Sequence, residues 1–79
     1  MFMSKMSTPT QDIAYFISFC IEQYKHLHHL SGEEAMEHLQ HYGVLQYLAN
    51  NYEVLHTQSA QWILEDMDEF IAIRKKQEL

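Results

Sequence analysis

The sequence predicts an all-α fold, a small compact bundle of three main helices plus one short helix. Three observations carry that expectation. Ile13 to Leu30 is a long segment with helical periodicity. Ser31-Gly32-Glu33-Glu34 has the spacing of a capping box, and Gly43 has the place of a helix stop. The chain contains one proline and two glycines, so little in it interrupts helices. Seventy-nine residues allow one domain. The expected division is a frayed tail over 1–9, a single helical domain over 10–76 and a frayed end over 77–79.

Thr8-Pro9-Thr10 opens the first helix, with Thr8 as N-cap and Pro9 at the first helical position, where a missing N–H costs nothing. Asp12 then lies in the first turn, where it favours the helix dipole. Stepping ~100° per residue from Ile13 gathers Ile13, Phe16, Ile17, Cys20, Tyr24 and Leu27 on one side. Ser18, Glu22, Lys25 and His29 share the opposite side. The apolar arc is roughly 200° wide, more than the ~100° of an ordinary surface helix, so several neighbours are expected to cover it. Alternation is absent, which excludes a strand. Glu22, Lys25 and His26 interrupt the segment, which excludes a membrane span. The helix is expected to run to Leu30.

The second helix begins at the Ser31 N-cap, with Glu34 as its reciprocal partner, and carries Ala35, Met36, Leu39 and Tyr42 inward. Gly43 ends it in a left-handed conformation. A short third helix follows from Val44 to about Asn51. Tyr52 to His56 reads as an ambiguous connector, possible in an extended form with apolar plugs. Thr57 or Ser59 caps the last helix, which runs to Lys75 or Lys76 with Ile63, Met67, Phe70 and Ile71 inward. Arg74, Lys75 and Lys76 complement the dipole at its end.

A formal net charge of −6 argues against nucleic acid, whose affinity rests on Lys and Arg at the phosphates, and against anionic membranes. It suits a basic protein partner. Cys20 is the single cysteine, so no intrachain disulfide forms; its place on the apolar side makes it a core thiol. No signal peptide is evident at the start, and a cytoplasmic location is expected.

Six histidines raise a metal reading. His26 and His29 share one helix face, and His38 and His41 are three apart on the next helix. Zinc sites commonly need four ligands with cysteine pairs, and no CxxC is present, so a solvated helix end is the favoured reading. Glu53-Val54-Leu55-His56 matches one half of a di-iron motif, which needs a second copy and further glutamates. No GxSxG or glycine-rich phosphate loop occurs, so neither enzyme activity nor a cofactor is expected. A helix-turn-helix would use the third helix, which has no Lys or Arg to hold phosphates.

Trp62 and Ile73 fit the core least well. They share a face of the last helix with Asp66 and Glu69, which is the composition of a partner-facing patch. Coverage by the wide first helix is the other reading. Tyr15 and Phe19, at the margin of the first helix, pose the same question, and a homodimer is one answer to both.

Five blocks carry a resemblance: Phe19-Cys20-Ile21-Glu22-Gln23-Tyr24-Lys25, Leu30 to Ala35, Tyr42 to Leu45, Tyr52 with Leu55-His56-Thr57-Gln58, and Glu65 to Ile71. Together they resemble a family of short bacterial proteins catalogued as a domain of unknown function, over about Ile13 to Arg74. That resemblance brings no catalytic residues. It implies an accessory or toxin-neutralising role beside small ADP-ribosyltransferase-like proteins, and it marks His56 and Thr57 as family-like positions. Each of those also has a local structural role available: a backbone bond for His56 and a helix cap for Thr57. The expected function is a non-enzymatic, acidic protein-interaction module, a partner or antidote of a neighbouring protein. The alternative is a histidine-based metal- or ligand-binding domain.

Overall fold

A computed structural model describes residues 9–78 of the chain. The expected frayed tail and the Thr8 cap lie outside the described residues, as does Leu79. The fold is all-helical: α1 (Pro9–His28), α2 (Gly32–His41), α3 (Val44–Asn50), α4 (Tyr52–Leu55) and α5 (Ala60–Gln77). Among the described residues no helix is long and apolar enough to cross a membrane.

α1 stops two residues before the expected Leu30. His29 takes a left-handed conformation (φ 56°). The Leu30 N–H then donates back to the Lys25 carbonyl (3.0 Å) and the His29 N–H to that of His26 (3.4 Å). This is a Schellman ending with histidine where glycine is usual, and it folds Leu30 against the core. The Ser31 capping box forms as expected. The Glu34 N–H donates to Ser31 Oγ (3.1 Å), and the Ser31 N–H donates to Glu34 Oε1 (2.9 Å).

Gly43 (φ 76°) turns the chain between α2 and α3. The turn drives Val44 and Leu48 to full burial beside Leu39 and Ala35 of α2. α3 is seven residues long, yet it contacts α1, α2, α4 and α5. α1 adds Cys20 and Tyr24 to the core, α4 adds Leu55, and α5 adds Ile63, Met67 and Ile71. Met36, expected inward, is exposed, because the buried stripe of α2 is narrower than its apolar sequence.

The Tyr52–His56 connector is helical rather than extended, which adds a fifth helix to the expected four. Side chains four apart stabilise it. The Tyr52 and His56 rings stack at 4.4 Å, and His56 Nδ1–H donates to the Tyr52 carbonyl (2.7 Å). Leu55 plugs the core, whereas Val54 is exposed. Ser59, not Thr57, caps α5 by accepting from the Trp62 N–H (3.1 Å). Thr57 Oγ1 instead donates to the Val54 carbonyl (2.8 Å) at the end of α4. α5 runs on to Gln77, and the Glu78 N–H donates to the Arg74 carbonyl (3.2 Å).

The two glycines should respond with opposite signs. A Cβ on Gly43 would meet only Arg74 Nη1 at 3.7 Å, so Gly43→Ala should cost about 1 kcal/mol through its left-handed backbone alone. Gly32 opens α2 with nothing within 4 Å of a Cβ, so Gly32→Ala should stabilise by about 0.5 kcal/mol. Urea unfolding of both variants checks the pair.

Candidate functional site

Two regions concentrate chemistry that the core does not consume: an exposed row on α1 and a ring cluster at the α1–α2–α5 seam.

The row follows from helix geometry. Tyr15, Phe19, Gln23 and Leu27 are four apart, so they line one edge of α1. Tyr15 is 67% exposed, Phe19 46% and Leu27 50%. A shallow cleft lined by Asp12, Tyr15, Phe19, Tyr52 and Ala60 opens at one end. A second, lined by Gln23, Leu27, Ala60, Leu64 and Glu65, opens at the other. The wide apolar arc of α1 is therefore not fully covered. Only Cys20 and Tyr24 are buried, while Ile13, Phe16, Ile17 and Ile21 remain partly accessible.

Trp62 (44% exposed) and Ile73 (51% exposed) also face outward, on the opposite flank of α5. They share a face, as expected, but eleven residues separate them, ~16 Å along the axis. They do not form one patch. Asp66, between them, accepts a hydrogen bond from the Tyr47 hydroxyl (2.6 Å). That bond is the main reason the Tyr47 pKa is pushed up to about 12. Next to it, the Phe70 ring stacks on that of Tyr47 (4.4 Å) and carries the Arg74 guanidinium over it (4.7 Å). Asp66 is thus a structural acceptor between α3 and α5, and Glu69 remains exposed.

The histidines expected as metal candidates are dispersed into separate local roles. His26 Nε2 bonds Glu22 (2.9 Å). Lys25 beside the same carboxylate (3.2 Å) holds Glu22 below its ordinary pKa. His29 forms the left-handed end of α1. His41 Nε2 bonds Glu78 (3.1 Å) and so ties α2 to the end of α5. His38 lies between the Tyr24 ring (6.0 Å) and the Tyr42 ring (5.1 Å). Among the described residues no group of three or more His, Cys, Asp or Glu side chains could hold a metal ion.

The seam does bring together His28, which the sequence did not single out as a ligand. His28 Nε2 bonds Asp68 Oδ1 (2.9 Å) across α1 and α5, and its ring lies 4.3 Å from that of Tyr24. Tyr24, His38 and Lys75 line the same cleft. A His–Asp pair can act as a base, but among the described residues no serine, threonine or cysteine lines this cleft. Burial pushes the Tyr24 hydroxyl up to about 12, and burial does the same to the Cys20 thiol, which stays protonated in the core. His56 makes the backbone bond expected of it, whereas Thr57 donates to the Val54 carbonyl instead of capping α5.

Burial first, and then Lys75, His28 and His41, hold His38 below its ordinary pKa of 6.5, against the opposing pull of Asp68. A histidine depressed on folding contributes stability that is present above 6.5 and lost as pH falls through the folded value. The expected outcome is that wild type loses stability relative to His38→Gln as pH is lowered through that window. Urea titrations of both chains at stepped pH read the difference directly.

No curated protein and no solved structure matches the chain. A family model does match, over residues 15–74, and its span contains all five sequence blocks noted above. That model is described as a protein of unknown function (DUF3791), and the chain belongs to that family.

Proposed function

We propose that the protein is a small, non-enzymatic protein-interaction module that uses the Tyr15–Phe19–Leu27 row of α1 as its contact face. The observation that carries this reading is the row itself: three large apolar side chains on one helix edge, each about half exposed or more. Soluble surfaces rarely leave such a row uncovered, and aromatic anchors dominate the energetics of protein contacts. The acidic balance of the chain supports encounter with a basic partner. The motif resemblance supports a role as accessory or antidote to a neighbouring protein. We place the module in the cytoplasm, where a lone thiol such as Cys20 stays reduced.

Trp62, Glu69 and Ile73 form a secondary candidate face. Their spacing favours two separate contacts rather than one anchor site. Asp66 drops out of that face because Tyr47 already uses its carboxylate.

Co-expression with the product of an adjacent gene, followed by affinity capture, tests the reading. Capture should be specific and should fall at least about tenfold in the Tyr15→Ala/Phe19→Ala variant, as expected for loss of aromatic anchors. Both positions are exposed and helical, so the variant should keep the wild-type fold. Capture of the chain alone, or capture indifferent to the variant, contradicts the proposal.

A further inference from the structure

We propose that the α1–α5 groove accepts one amphipathic helix of a cationic partner, apolar on its inner side and carrying Lys or Arg on its flanks. This deepens the interaction reading above and rests on it.

The groove has the dimensions of a helix site. Ala60 lines both the cleft at Tyr15 and Phe19 and the cleft at Leu27, so the two meet at one small residue. From Tyr15 to Leu27 the row spans ~18 Å, which is about three turns of an incoming helix. A row of side chains four apart presents a ridge, and the channel between it and α5 is the type of surface into which helix ridges pack.

Its charge specifies the occupant. Asp12 stands at one end and Glu65 at the other, where Asp68 also lines the cleft but is already bonded to His28. Among the described residues no Lys or Arg lines either cleft. Three of the described cations are engaged elsewhere: Lys25 with Glu22 (3.2 Å), Arg74 over Phe70 (4.7 Å) and Lys75 over Tyr42 (5.8 Å). Flanking lysines or arginines on a docked helix would meet carboxylates at both ends of the apolar floor. A second copy of this chain fits poorly. An antiparallel twofold pairing of the grooves sets Asp12 against the partner's Glu65 end, and a parallel one sets like acids together. Either repels at neutral pH.

The probe is a labelled model peptide of about 14 residues, built from leucine and lysine at helical spacing, with a twin carrying glutamate for lysine. Fluorescence anisotropy with the full chain reads the binding. The lysine peptide should bind, and binding should weaken at high salt. Phe19→Ala/Leu27→Ala should weaken it about tenfold. Glu65→Lys should weaken it about fivefold, and Glu37→Lys, on α2 and lining neither cleft, much less. Equal effects of Glu65→Lys and Glu37→Lys would reveal diffuse attraction and overturn the proposal. Equal binding of the glutamate twin, or a Phe19-dependent dimer in sedimentation that excludes the peptide, would remove the cationic occupant and leave the interaction face standing. Partner capture and peptide binding that both ignore Phe19 would remove the two together.

Discussion

The left-handed turn at Gly43 is the constraint on which the packing depends. It ends α2 and starts α3 without a connecting loop, so Leu39 and Val44, both fully buried, enter the core from successive helices. α3 then inserts Leu48 among the other four helices. A non-glycine residue at this φ is strained, and a loosened turn would let α3 swing away from α1, α2, α4 and α5 at once. The seven residues of α3 matter more for the core than their number suggests.

The same arrangement explains the exposed face. α3 is ~10 Å long and α2 ~15 Å, whereas α1 is ~30 Å. Short helices packed on one side of a long one bury the Cys20–Tyr24 level and leave the flanks partly open. α5 covers one flank but presents Ala60 to both clefts, a side chain too small to fill the space beside Phe19 and Leu27. The result is an apolar channel with acids at its ends on a chain of net charge −6. The histidines take no part in that channel except for His56 at one end. Three of the six fasten helix ends: His28 to Asp68, His41 to Glu78, and His56 to its own turn.

Local signals in the sequence located the elements well where side chain and backbone act within one turn. Ser31 with Glu34, Gly43, and the Ile63–Met67–Ile71 stripe all behaved as their spacing required. The end of α1 was missed because His29 carries none of the glycine or asparagine signal that marks a left-handed residue, and the packing of Leu30 against the core appears only in the folded chain. α4 was missed because four residues give no periodicity, and the Tyr52–His56 stack becomes visible only once a helix is assumed. For the candidate site, Tyr15 and Phe19 were legible as a margin of the apolar arc. Leu27 was not, since its angle lies well inside that arc and only the shortness of its neighbours exposes it. Trp62 and Ile73 were placed on the right face, but angle alone ignored their axial separation. Tyr47 claims Asp66 through a tertiary contact nineteen residues away in sequence, which no local pattern encodes.

Tyr15, Phe19 and Leu27 stand open to solvent in the isolated chain, available to a partner. Side-chain NMR with a soluble paramagnetic agent tests it most directly. Strong line broadening is expected at those three residues and little at the fully buried Leu39, Leu48 and Met67. Protection of Phe19 and Leu27 to the level of Leu48, in dilute protein without a partner, would contradict it.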